Sequence, residues 1–197
     1  MSERKILSHE FYKHNTLKVA KELLGKYLVR KVGRKKIIGQ IIETEAYCGP
    51  KDLACHGSRG RTPRTEALFG QAGQWYVYFI YGMYYCLNVV TEKKDYPSAA
   101  LIRAVKPIYG INGSEKTDGP GKLCRTFKID KKLNNSSACS SFSSPLRRGR
   151  LGGGLLWIED WGEKIKPSQI KKTPRIGVDY AKEYKNKPWR FILKFRI

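Results

Sequence analysis

Two glutamates, Glu43 and Glu45, stand two positions apart in the segment IIETEAY, and Tyr47 follows at the same interval. If the segment is a strand, its period of two puts Glu43, Glu45 and Tyr47 on one face and Ile42, Thr44 and Ala46 on the other. A carboxylate in that setting could hold or deprotonate a water molecule and steady an oxocarbenium-like centre. Those are the requirements of glycosidic-bond hydrolysis. The plainer reading is a solvated polar face paired with surplus lysines, and for these two carboxylates alone it is the stronger one.

A second concentration of chemistry shifts that balance. Tyr76, Tyr78, Tyr81, Tyr84 and Tyr85 crowd the segment WYVYFIYGMYYCLNVV. Its two aromatic and β-branched runs flank Gly82-Met83, the pattern of a β-hairpin. Gly82, Met83 and Tyr84 are expected to form the loop between paired Tyr81 and Tyr85, with Tyr78 opposite Asn88. A tyrosine-rich core would account for the strands but not for large apolar residues at a turn, which lies on the surface. Such a tip serves either as a wedge into a nucleic-acid duplex or as a protein contact.

Charge favours the duplex. Lys and Arg number 39 against 17 acidic residues, a formal net charge of +22, and self-repulsion of that size is best offset by an anionic polymer. No apolar run is long enough to span a bilayer and the polar start MSERKILSHEFYKH is not a signal peptide, so an intracellular, soluble protein is expected (cytoplasm or nucleoid in a bacterium). Five cysteines, Cys48, Cys55, Cys86, Cys124 and Cys139, form neither an even framework nor a CxxC pair, as suits free thiols in a reducing compartment. Cys48, Cys55 and His56 match no common zinc spacing.

The elements that must position these residues are legible in outline. Asn15 or Thr16 caps a helix over LKVAKELLGK that Gly25 ends. Tyr27–Val32 and Lys36–Tyr47 read as strands around the turn at Gly33-Arg34. Cys48–Gly73 is mostly loop, Ala99–Val105 is a strand that Pro107 stops, and GPGKLCRTFKI is a short helix entered from a Gly-Pro turn. The stretch 131–154, Ser-rich and then basic at Arg147, Arg148 and Arg150, reads as a flexible loop. Leu155–Glu159 and Trp189–Phe195 close the fold. The expectation is an α/β (α+β) class: one mixed domain over residues 1–197, built on a largely antiparallel curved sheet with flanking helices and a protruding hairpin.

Six segments, taken in order, resemble successive motifs of the alkyladenine (methylpurine) DNA glycosylases: IIETEAYCGPKDLACH, RTPRTEALF, WYVYFIYGMYYCLNVV, ALIRAVKP, DGPGKLCRTFKI and PRIGVDYAKEYKNKPWRF. The resemblance runs from Leu17 to Phe191. It implies that Glu45 is the base that activates water, that Arg103 helps hold that water, and that the main-chain carbonyl of Val178 is its third contact. Tyr47, His56 and Tyr78 would sandwich a flipped base, with the His56 N–H on the purine edge. Asn88 would exclude the exocyclic amino group of guanine. Tyr81, with Met83 beside it at the tip, would intercalate in the vacated stack. Thr65 and Lys106 depart from the family's usual residues, and the stretch 134–145 aligns with nothing in it.

The implied function is excision of alkylated, and as a second class deaminated, purines from double-stranded DNA by a monomer with no metal and no organic cofactor. With no lysine in the place of Glu45 to form a Schiff base, hydrolysis without strand cleavage is expected. The rival is a non-catalytic nucleic-acid binder, for which the RNA-binding tail domain of formyltransferases would be a similar core. The Glu45–Arg103 pair separates the two, because a binder has no use for a buried carboxylate beside phosphates.

Overall fold

The computed structural model describes residues 4–139 and 155–194. After a two-residue strand β1 (Lys5–Ile6) and a single helical turn α1 (His9–Tyr12), helix α2 spans Thr16–Glu22. The Asn15 side chain caps it by accepting from the Leu17 N–H at 3.1 Å, satisfying one of the orphan donors of the first turn. Gly25, at φ 82°, turns the chain out of it. Val19 and Ala20 bury against the sheet, and the Thr44 hydroxyl donates to the Ala20 carbonyl at 2.6 Å.

The remaining strands are β2 (Tyr27–Val32), β3 (Lys35–Cys48), β4 (Trp75–Ile80), β5 (Tyr84–Val90), β6 (Ser98–Tyr109), β7 (Leu155–Asp160), β8 (Ile170–Thr173) and β9 (Arg190–Leu193), with helix α3 at Pro120–Thr126. The sheet runs in the order β1-β7-β2-β3-β6-β5-β4, and β9 joins β3 and carries β8. Every ladder among them is antiparallel. The expected class, a mixed fold built on a largely antiparallel curved sheet with helices and a hairpin, is the one observed.

Strand β3 is the axis of the molecule. One side pairs with β6 along its length; the other pairs with β2 up to Gln40 and with β9 from Glu43 to Glu45. Where it changes partner the β3–β6 register shifts, between Ile41 and Glu43 and again between Glu43 and Thr44. Such irregularities re-aim side chains. Around this axis the core gathers Trp75, Leu28, Ile102, Leu123 and Phe127, all fully buried. Burying one such side chain contributes about 1.5–3 kcal/mol. The buried Trp75 indole donates to the Leu156 carbonyl at 3.0 Å, so its polar atom is satisfied.

Several expectations need correction. The hairpin closes with Ile80 opposite Tyr84, leaving Tyr81-Gly82-Met83 as the loop, so Tyr78 faces Cys86 and Asn88 faces Tyr76. The register differs from the expected one by an even step, which leaves every side chain on its expected face. Pro107 does not stop β6, which continues to Tyr109 with Pro107 opposite Gly39. β5 pairs only with residues 99–101 of β6, so at Pro107 the other side of the strand is an edge, where a missing N–H is tolerated. Within the expected flexible loop, residues 131–139 are packed: Leu133 and Ala138 enter the core and Ser137 bridges to Gln74. The arginines at 147, 148 and 150 lie outside the described residues. β1, α1, β8 and a 3₁₀ turn at Lys182–Asn186 were not expected, and the long loop after β3 holds 3₁₀ turns at His56–Arg59 and Glu66–Phe69. Among the described residues no helix is long and apolar enough to cross a membrane.

Candidate active site

Glu45 sits where β3 is hydrogen-bonded on both sides, opposite Leu101 of β6 and Arg190 of β9. Its side chain is 0% exposed. Removing a carboxylate from water costs several kcal/mol unless partners offset it. Here Tyr47 Oη donates to Oε2 at 2.8 Å, the Ile176 N–H donates to Oε1 at 2.9 Å, and Arg103 Nη1 lies 3.3 Å from Oε1. Burial acts to lower the Arg103 pKa, but Glu45 and Glu43 outweigh it and the net shift is upward. Burial, reinforced by Glu45, drives the Tyr47 hydroxyl well above its ordinary pKa, so it remains a donor.

Tyr47, Arg103 and Ile176 also line a cavity of about 500 Å³. The carboxylate therefore lies directly behind the cavity wall. The wall itself is aromatic. The His56 and Tyr78 rings are 4.6 Å apart, and Tyr76 stands 5.2 Å from Tyr78. Tyr76 Oη lies 2.9 Å from His56 Nδ1, which orients the imidazole. Burial, with Arg64 and Arg59 nearby, lowers the His56 pKa, so at neutral pH the ring is uncharged. Asn88 is buried at the cavity and donates its amide to the Tyr76 carbonyl at 3.2 Å. The cavity thus gathers Tyr47, His56, Tyr78, Asn88 and Arg103, drawn from β3, β4, β5, β6 and a 3₁₀ turn.

At the mouth stands the hairpin tip. Tyr81 is 80% exposed and Met83 62%, and Tyr81 also borders the cavity. Tyr81 has φ 52°, a left-handed conformation that costs a bulky residue on the order of 1–2 kcal/mol. A strained, solvent-facing aromatic is not there for the core.

Val178 lines the cavity, but its carbonyl accepts the Ala181 N–H at 2.9 Å within a turn. The residue of that segment that touches Glu45 is Ile176, two positions earlier. The segment is held by Arg175, whose guanidinium pairs with Asp52 at 2.6 and 2.8 Å and donates to the Ala46 carbonyl at 2.8 Å, both charged side chains being fully buried. Arg175 also lies 4.9 Å from the Tyr47 ring centroid and 5.0 Å from that of Trp189. Asp52 in turn accepts from the Cys48 and Ala54 N–H groups, which folds the loop after β3. Sequence reasoning missed Ile176, Arg175 and Asp52, and named Tyr76 in the aromatic cluster without giving it a role of its own. For Asp52 and Arg175 no local signal exists, since they stand 123 positions apart. Of the three residues considered for zinc, Cys55 donates its thiol to the Pro97 carbonyl and His56 meets Tyr76.

An aromatic slot backed by a buried, donor-clamped carboxylate, on an open antiparallel sheet with a projecting tip, is equipped to take a flat heterocycle and to hydrolyse a bond beside it. A model of the methylpurine-DNA glycosylase (MPG) family matches residues 10–196. Three proteins that carry the name "Putative 3-methyladenine DNA glycosylase" are similar over most of their length. One from Methanocella arvoryzae is 47% identical over 94% of this chain and 91% of its own, and one from Legionella pneumophila (strain Corby) is 48% identical over 95% and 94%. One from Myxococcus xanthus is 42% identical over 93% and 88%. The chain belongs to the methylpurine-DNA glycosylase family, enzymes of DNA repair that hydrolyse the N-glycosyl bond of alkylated purines.

Proposed function

We propose that the protein draws a damaged purine out of duplex DNA into the aromatic slot, and that Glu45 activates the water that replaces the base. One observation carries this reading: the fully buried Glu45 carboxylate, held by two hydrogen-bond donors and the Arg103 ion pair directly behind the slot. A base within a duplex is out of reach, and unstacking it costs roughly a few kcal/mol. Tyr81, already exposed and bordering the slot, offsets part of that cost by filling the gap, with Met83 beside it.

An N-alkylated purine is cationic and a good leaving group, and Tyr47 and Tyr78 attract it through their ring faces. A neutral His56 adds no repulsion. Glu45 takes a proton from water as the glycosidic bond breaks, and the negative charge it carries beforehand steadies the sugar cation. Arg103 and a main-chain carbonyl complete the hold on the water. The carbonyl of Val178, a residue that lines the slot, has a second lone pair beyond the one that accepts from Ala181 and takes that role, while the Ile176 N–H holds the carboxylate. The product is an abasic site on an unbroken strand. Asn88 selects against guanine by its bulk, deaminated purines are a second substrate class, and one chain suffices for activity.

A non-catalytic binder would gain nothing from this arrangement, since a buried anion beside phosphates opposes binding. Single-turnover excision from duplexes carrying one 7-methylguanine, ethenoadenine or hypoxanthine tests the reading. Glu45→Gln should bind the lesion duplex at least as well as wild type while excision collapses by roughly 10²–10⁴-fold or more. Normal excision by Glu45→Gln would remove the assignment of the base, and a variant that failed to fold would make the carboxylate structural.

A further inference from the structure

Glu43 is not the solvated neighbour that its sequence position suggested. Its side chain is only 15% exposed, and Oε1 accepts from two arginines, Arg103 Nε at 3.0 Å and Arg190 Nε at 2.6 Å. We propose that Glu43 is a positioning residue: anchored by Arg190, it ties back the Arg103 guanidinium so that only one of its arms reaches Glu45. The inference rests on Glu45 being the base.

The geometry supplies the reason. A guanidinium is a rigid planar fork that tends to grip a carboxylate at both oxygens. A bidentate Arg103 would occupy the lone pairs that the attacking water needs. With Nε committed to Glu43, Arg103 offers Glu45 a single contact, Nη1 to Oε1 at 3.3 Å. Oε2 then has Tyr47 as its donor. Glu43 can do this because it lies in the irregular part of β3, opposite Ile192 of β9 and Ala104 of β6. Both arginines come from those flanking strands, Arg103 beside Ala104 and Arg190 two residues from Ile192.

Glu45 is surrounded by Tyr47 from its own strand, Arg103 from β6 and the Ile176 N–H. Arg190 of β9 and Glu43 stand one contact further, Arg175 lies behind Tyr47, and the Cys86 thiol of β5 lies near enough for Glu45 to act on its pKa. Removing Glu43 releases the Arg103 guanidinium to turn both arms on Glu45 and cover the lone pairs that the water needs. Removing Arg190 leaves Glu43 held by Arg103 alone, a looser tether. A rate loss that Glu43→Gln restores in part, and that vanishes once Glu45 is already replaced, is a signature that loss of packing does not produce.

The experiment is the single-turnover excision rate, with duplex affinity measured alongside, on a 7-methylguanine duplex for Glu43→Ala, Glu43→Gln, Arg190→Met and Glu45→Gln. Expected are a rate loss of roughly tenfold for Glu43→Ala, a smaller loss for Glu43→Gln, which keeps an acceptor for Arg103, and a loss between the two for Arg190→Met, with duplex affinity not reduced in the Glu43 variants. Adding Glu43→Ala to Glu45→Gln should slow excision no further. Wild-type rates in the Glu43 and Arg190 variants, with Glu45→Gln inactive, would overturn the positioning role while leaving the base in place. Normal excision by Glu45→Gln would instead overturn the reading on which it rests. If Glu43→Ala does not fold, Glu43→Gln and Arg190→Met decide by the same criteria.

Discussion

Tyr47 Oη lies 2.8 Å from Glu45 Oε2, so one tyrosine is at once a wall of the slot and a ligand of the carboxylate behind it. The two functions are separable by substitution. Tyr47→Phe keeps the ring and removes the donor; excision should slow by roughly tenfold, in line with the loss of one charge-assisted hydrogen bond, while lesion binding is retained. Tyr47→Ala should lose both. Single-turnover rates set against duplex affinity would show it, and equal losses of affinity in the two variants would count against the division.

Tyr81 is the next test. Because it is exposed and in a left-handed conformation, replacing it should not cost stability. Tyr81→Gly should melt no lower than wild type, since glycine adopts that φ without strain, yet discrimination between lesion-bearing and undamaged duplex should fall. A lower melting temperature would mean that the ring packs after all.

For His56 the expectation concerns pH. Its folded pKa is depressed below the ordinary histidine value of about 6.5, first by burial and then by Arg64 and Arg59. Below that value the unfolded chain takes up a proton that the folded chain refuses. Stability is thus highest above it and declines as pH falls toward the lowered folded pKa. Imidazole resonances followed by NMR should show the low midpoint, and Arg64→Met should move it part of the way back up.

The Asp52–Arg175 pair should govern stability rather than chemistry. Asp52→Asn strands a buried guanidinium, and breaking such a pair costs about 3–5 kcal/mol. Urea denaturation should read this as a large fall in the midpoint. An effect below about 1 kcal/mol would mean that water reaches the pair.

Strand positions with alternating or β-branched patterns, such as Tyr27–Val32 and the two arms of the hairpin, were legible because burial imposes the period. Tyr47, His56, Tyr78, Asn88 and Arg103 around the cavity, and Glu45 behind it, were named through motifs whose joint order is specific. The hairpin register was not legible, since loops of three residues centred on either Gly82 or Met83 fit the same pattern. Glu43 was misjudged as solvated because its partners, Arg103 and Arg190, come from two other strands. Ile176 was missed because its contribution is a backbone N–H, which leaves no mark on side-chain type.

The edge strand β4 is dressed unevenly. At its base Trp75 and Val77 bond to the segment around residues 134–136, the Trp75 N–H to Ser136 O at 2.8 Å and the Val77 N–H to Asn134 Oδ1 at 2.9 Å. Toward the tip that cover ends, and the Phe79 carbonyl has a long contact from Arg64 at 3.4 Å. Glu45, by contrast, lies on a strand sewn in from both sides. Amide exchange should therefore grade along the molecule, fast at Tyr81 and slow at Glu45. If the tip enters DNA as proposed, the probing finger complies with whatever stretch of helix it meets while the cutting edge stays fixed, and variation at the fingertip retunes the search without disturbing the blade.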